Sequence, residues 1–348
     1  MTEERRVLWF RRLARCGALL AACVVVLGAW VRLTDAGLGC PDWPGCYGHL
    51  FPQTTHRFAE AVHEMVHRYF ASTLGAIIVA LLVWAFVNRK ARGQPLAAVA
   101  ALLLLVCVQG LLGMKTVTLL LQPLIVTSHL LGGLTTLALL WWLSLEPRSR
   151  PLTHPQLSLR KFAFVALGAL ALQIALGGWT SSNYAAIACP DLPTCQRSWW
   201  PDMDFQNAFV LWRGLGVDYE GGVLASPARV AIHFTHRLGA VVVGTVLIGT
   251  GLLTIARSAG RPLRLLGGLL VFAVLLQITI GIAMVHFHIP LVLATMHNGG
   301  AALLVIVMVT LLRTLWPHAL EPGAASASAR PPEPAGGVVT LRRVDAPR

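Results

Sequence analysis

The sequence predicts an all-α integral membrane protein whose eight transmembrane helices form two pseudo-symmetric four-helix bundles, a parallel repeat. Three observations carry this. Apolar stretches long enough to cross a bilayer recur along nearly the whole 348-residue chain, basic residues collect in alternate turns between them, and one pattern of Trp, Cys, Gln and His occurs twice.

The apolar stretches come first. Hydrophobic residues make up 56% of the chain and charged residues 12%, about half the charged share of a soluble domain. Runs of roughly 20 residues, the length a spanning helix needs, lie at about 12–34, 61–87, 96–116, 122–145, 160–182, 228–256, 264–286 and 290–315. A helix satisfies its own backbone inside lipid. A β-barrel would show short alternating strands, which the sequence lacks. The first run follows Arg5, Arg6, Arg11, Arg12 and Arg15 as a signal peptide would. No small-residue cleavage site precedes Arg32–Thr34, so the run is read as a retained helix.

The charge sorting comes next. A net charge of +13 could suggest nucleic acid, but its distribution argues for topology. With eight spans, the N-terminus, the even-to-odd turns and the tail share one side. Those segments hold 20 of the 28 Lys and Arg, among them Arg89, Lys90, Arg148, Arg160, Arg257, Arg264 and Arg313. The other side carries Asp35, Asp42, Glu60, Asp191, Asp202, Asp204, Asp218 and Glu220. Positive charge inside puts both termini in the cytoplasm, and the expected membrane is a bacterial inner membrane. The expected organisation is then a cytoplasmic N-terminus (1–11), an N-terminal bundle (12–145), a linker (146–159), a C-terminal bundle (160–315) and a disordered cytoplasmic tail (316–348). The tail is rich in Ala, Pro and Arg, with little to bury.

The repeat is the third observation. Trp30 and Cys40-Pro-Asp-Trp-Pro-Gly-Cys46 recur as Trp179 and Cys189-Pro-Asp-Leu-Pro-Thr-Cys195, an offset of 149. His67-Arg68 matches His236-Arg237 at 169, while Gln109, Gly113 and His129 match Gln277, Gly281 and His297 at 168. The jump falls in the outer loop, longer in the second half (196–227) than in the first (47–60). Four spans per half is an even number, so both copies point the same way, related by an axis along the membrane normal. Bundles of this kind place cofactors between facing helices.

Four histidines occupy repeated positions: His67, His129, His236 and His297. Each lies about 8–15 Å below the outer end of an even-numbered helix. Each half thus supplies one pair at equal depth, which can ligate a haem iron from both sides. The Gly-Gly pairs after His129 and His297 would let a flat macrocycle approach the backbone. A single buried histidine is as readily an interhelical hydrogen-bonder. Four at matched positions, where ionisable groups are costly, point to ligation. His49, His56, His154 and His318 are expected in loops or tail. His286 and His288 lie near an outer helix end.

His63-Glu-Met-Val-His67 fits the zinc-protease helix motif H-E-x-x-H. The repeat preserves His-Arg and not that motif, since His233 stands opposite Glu64. No acidic third ligand occurs in the later spans. Glu64, three residues before His67, shares its helix face. A carboxylate beside one iron site and an imidazole beside the other makes the halves differ in chemistry, although simple pairing of Glu64 with an arginine is the plainer account. The two C-P-D-x-P-x-C loops fall on the outer side, where Cys40 with Cys46 and Cys189 with Cys195 can form disulfides. Either a structural clip or, if strained and exposed, a redox role is open to them. Cys16, Cys23 and Cys107 are expected to pack within spans. No C-x-x-C-H occurs, so a haem would not be covalently attached.

Together, Gly28-Ala-Trp-Val-Arg-Leu-Thr34, Cys40-Pro-Asp-Trp-Pro44, Glu64-Met-Val-His67-Arg68, Ser128-His129, His233-Phe-Thr-His236-Arg237 and Met296-His297-Asn298 resemble the haem A synthase family over roughly residues 15–315. The resemblance implies oxidation of the C8 methyl of haem O to a formyl group, giving haem A for terminal oxidases. It implies resident haem b between His236 and His297, and substrate haem O between His67 and His129 with Glu64 as catalytic residue. It also implies loop cysteines at Cys40, Cys46, Cys189 and Cys195, and a haem O synthase as donor. A redox partner and an oligomer remain open. Two rivals come from other classes. A bis-histidine membrane cytochrome would explain the histidines but leave Glu64 unexplained. A transporter would want helices broken by Gly or Pro at the midplane.

Overall fold

The computed structural model describes residues 2–53, 56–90, 94–146, 154–258 and 260–316. The expected tail therefore falls outside the described residues except for Trp316, as does half of the linker (147–153). All regular structure among the described residues is helical: α1 (Glu3–Leu33), a 3-10 turn (Ala36–Leu38), α2 (Phe58–Val87), α3 (Leu96–Thr118), α4 (Pro123–Ser144), α5 (His154–Ser182), α6 (Phe205–Ala208), α7 (Ser226–Arg257), α8 (Arg261–His286) and α9 (Leu291–Thr314). Eight of these are long and apolar enough to cross a membrane; α6 is the short exception. The chain is an integral membrane protein.

Helix ends follow local chemistry. Glu3 and Glu4 sit in the first turn of α1, where negative charge suits the helix dipole. Helices α4, α7 and α8 each begin with a proline in the first turn, where its missing N–H costs nothing. Gln122 caps α4 by accepting the Ile125 N–H at 3.0 Å. The helix α1 starts nine residues before the apolar run at 12, so the expected cytoplasmic N-terminus is itself helical. In the same way α5 reaches back into the expected linker. Backbone propensity extends both helices past the apolar zone.

Helix α1 packs on α2 and α4, and α3 packs on the same two. Helix α5 packs on α7 and α9, and α8 on the same two, while α1, α4, α5 and α9 meet along the middle. Between spans, lipid supplies no hydrophobic drive, so close contact depends on small residues. Ala14, Ala18 and Ala21 of α1 are buried to 1% or less. A Cβ at Gly251 of α7 would lie 2.8 Å from the Gly267 carbonyl oxygen of α8. Cys16, Cys23 and Cys107 are exposed on the helix surface and do not pack internally as expected, a placement lipid tolerates for a weakly polar thiol.

Equivalent positions of the repeat touch one another across the middle. Arg32 donates to the Ser181 carbonyl at 2.6 Å, and Tyr184 donates to Asp35 at 2.8 Å, each pair 149 residues apart. The Arg32 guanidinium lies 4.0 Å over the Tyr184 ring. Such self-contacts arise where a local two-fold axis passes. The backbone repeats as well: positive φ occurs at Asp35 and Tyr184, Tyr47 and Gln196, and Leu120-Leu121 and His288-Ile289. The longer second loop crosses to the first half, where Glu220 pairs with Arg57 at 2.7 Å and Gln122 donates to the Leu211 carbonyl at 2.8 Å.

Candidate functional site

The repeated histidines are brought together in pairs. The rings of His67 (α2) and His129 (α4) have centroids 6.5 Å apart at 78°. Two imidazoles gripping one metal from opposite sides have centroids about 6 Å apart, given a metal–nitrogen bond of about 2 Å. His236 (α7) and His297 (α9) lie within electrostatic reach of each other. The rings of His67 and His129 lie near the backbone carbonyls of Val24 and Gln109, and their Nδ1 atoms are buried without a hydrogen-bond partner.

Every one of these rings rests on a glycine of the neighbouring helix. A Cβ at Gly28 would stand 3.0 Å from Cε1 of His67, at Gly113 3.4 Å from that of His129, at Gly177 3.1 Å from that of His236, and at Gly281 3.2 Å from that of His297. In sequence these glycines show only as repeat or motif positions, such as Gly113 with Gly281; their role as seats needs the helix contacts. The histidine pairs and their notches fit a haem held by two axial imidazoles.

The glycine pairs expected to admit a macrocycle behave otherwise. Gly132 and Gly300 are occupied, since a Cβ at either would overlap the amide of Gln109 or Gln277. Gly133 and Gly299 pack against Val25 and Val26.

Glu64, 5% exposed, sits where the halves differ. One carboxylate oxygen accepts the Cys40 N–H at 2.8 Å, and the other pairs with Arg68. At the equivalent place His233 accepts from Arg237 at 3.3 Å. With the carboxylate turned to Arg68 and the loop, and no three His, Cys, Asp or Glu converging among the described residues, the H-E-x-x-H spacing builds no zinc cage.

The arginine after each α2 and α7 histidine anchors a loop. One residue further round the helix, Arg68 donates to the carbonyls of Asp42 at 3.0 Å and Gly45 at 2.6 Å. Arg237 donates to those of Cys189, Asp191 and Thr194 at 2.6, 2.8 and 2.9 Å. Each His-Arg pair thus joins one ring of a histidine pair to a cysteine loop, a role the sequence signalled only by preserving the arginine. Disulfides close both loops, Cys40 to Cys46 and Cys189 to Cys195. All four cysteines are 1% exposed or less, which removes the exposed disulfide on which a redox role depended and favours the clip.

An aspartate holds each clip. Asp42 accepts the Tyr47 and Gly48 N–H groups at 2.6 and 2.8 Å, and Asp191 accepts those of Gln196 and Arg197 at 2.7 and 3.0 Å. Burial pushes the Asp42 carboxyl up, but the Gly48 and Tyr47 N–H groups outweigh it and hold it below the usual aspartate value. The Thr194 hydroxyl, followed by the Arg197 and Gln196 N–H groups, does the same for Asp191 against burial. Folded values below the unfolded one mean that this stabilisation is complete above about pH 4 and is lost as pH falls through the depressed values. Asp191→Asn is expected to speed reduction of Cys189–Cys195 severalfold at pH 7, read by thiol alkylation and mass. An unchanged rate would leave Arg237 as the sole anchor.

Residues 11–309 match the family model of COX15-CtaA, described as cytochrome oxidase assembly protein. Among curated relatives, the haem A synthase of Shewanella oneidensis is 41% identical over 326 residues, covering 88% of this chain and 96% of that protein. The haem A synthase of Halalkalibacterium halodurans is 29% identical over 301 residues, covering 83% and 90%. That of Caulobacter vibrioides is 26% identical over 329 residues, covering 83% and 91%.

Proposed function

Because the chain belongs to the COX15-CtaA family and, within it, to the haem A synthases, we propose that it oxidises the C8 methyl of haem O to a formyl group, giving haem A. The observation that carries this reading is a duplicated pair of glycine-seated histidines in which only one half has a carboxylate beside its site. His236 and His297 would hold haem b, whose iron supplies electron transfer when bound. His67 and His129 would hold the substrate in the other half. The two halves serve as two four-helix bundles, 12–145 and 160–315, joined along α1, α4, α5 and α9.

The chain's own residues then have distinct tasks. The glycine notches let the rings seat deeply and fix their orientation, and the surrounding spans exclude bulk water. Glu64 receives a proton released as the methyl carbon is oxidised, its charge held in place by Arg68. His233 occupies the same place beside haem b and has no carboxylate to offer. The positive-inside distribution supports cytoplasmic termini, in a bacterial inner membrane with the sites and clipped loops toward its outer face. That side is where disulfides persist. A haem O synthase supplies the substrate, water supplies the formyl oxygen, and a separate redox partner takes the four electrons released as the methyl and water together lose four protons.

The test is haem extraction and chromatography of the purified protein from cells with and without a haem O synthase. Haem b is expected under both conditions, with haem O and haem A only when that synthase is present. Two haem b per chain under both conditions would instead make the protein a bis-histidine electron carrier.

A further inference from the structure

Three of the four histidines share a contact that the fourth lacks. Three residues after His129, His236 and His297 stand Gly132, Gly239 and Gly300, and a Cβ at each would overlap the amide of Gln109, Gln173 or Gln277 on the adjacent helix. Gln173 donates to the His236 carbonyl at 2.9 Å and lies 3.1 Å from its Nδ1. Gln277 donates to the His297 carbonyl at 2.9 Å. Glutamine amides thus engage glycine notches between α3 and α4, α5 and α7, and α8 and α9, one turn from a histidine.

The α1–α2 pair breaks the pattern. At the offset that relates Gly28 to Gly177, Val24 stands in place of Gln173. At the offset that relates His67 to His236, Phe70 stands in place of Gly239. Val24 carries no amide, and a phenylalanine, here 41% exposed, leaves no notch. The His67 ring still rests on Gly28, so the seat is kept and only the lock is missing.

Releasing a haem requires its axial histidine to move away and its helix to part from the neighbour. In a span, an amide pulled from its notch meets no water to replace the lost partner, so each lock resists parting. We infer that the glutamine–glycine locks retain haem, and that the unlocked α1–α2 seam beside His67 is where haem enters and leaves. This rests on the proposed division of labour: a resident cofactor must stay, whereas a substrate must come and its product go.

The experiment transplants the lock and removes it. Val24→Gln with Phe70→Gly copies Gln173 and Gly239 into the first half, and Gln173→Val removes the lock from the second. Haem loss to a haem-free globin scavenger is followed by absorbance, after size exclusion has confirmed intact protein. The double variant is expected to release haem from the first half about fivefold more slowly, and Gln173→Val to release haem b about fivefold faster, the effect of one hydrogen bond. If wild type loses one haem readily and neither variant changes its rate by twofold, the inference is overturned and the functional reading stands. Two equally retained haems in wild type would overturn both.

Discussion

Alanine at His236 or His297 is expected to yield folded protein that has lost its resident haem b, whereas alanine at His67 or His129 keeps haem b and loses haem O and haem A. Each imidazole lies on a different helix and is seated against a glycine of yet another, so no neighbouring side chain can take its place. Changes to groups around a metal ligand already cost about 10–100-fold in affinity, and removal of the ligand itself should exceed that. Retention of fold follows from the packing: the four histidines are outside the fully buried core, which is formed by Ile78, Leu81, Leu137, Leu140, Leu270, Met308 and Leu311. Extracted haems, identified by chromatography and quantified per chain, provide the measurement. Equal loss of haem b from the His67 and His236 variants would end the assignment of substrate to one half and cofactor to the other.

The second large effect is expected at Glu64. Glu64→Gln keeps the shape and one acceptor for the Cys40 N–H, but removes the charge that faces Arg68. Arg68 remains bonded to loop carbonyls, so the outer clip should hold. If Glu64 takes a proton during oxidation, conversion of haem O should fall about hundredfold or more, within the range for loss of a general base. Haem content should stay within about twofold of wild type. Glu64→His, which copies the second half, should behave likewise and still engage its arginine. The alternative is that Glu64 only ties the loop to α2. In that case Glu64→Gln would expose Cys40–Cys46 to reductant while conversion continued at the wild-type rate. Haem analysis and alkylation on the same preparation separate the two.

Several pieces of the molecule were legible before any coordinates. Span number follows from hydropathy because a backbone in lipid has few alternatives to the helix. The pairing of His67 with His129, and of His236 with His297, followed from equal depth on alternate helices, since depth is a count of residues along a helix of fixed rise. The asymmetry of Glu64 and His233 was visible because a repeat supplies its own control.

Other features depend on which helices are neighbours, and no spacing in a single chain states that. Gly28 and His67, or Gly177 and His236, lie on separate spans, and only helix packing reveals one as the seat of the other. The glycine pairs misled for the same reason, because Gln109 and Gln277 reach their notches from adjacent helices. Arg68 and Arg237 show in sequence only as charges kept by the repeat, whereas the loop carbonyls folded around them are a tertiary contact. The cysteine pairs were expected, but their complete burial came from the way each loop closes over its arginine. Sequence by itself thus determined the solvent, the spans and the histidine layer, all set by interactions local to one helix and its depth. Tertiary structure alone decided the glycine seats, the amide locks and the buried clips, because each is a contact between helices or loops far apart in the chain.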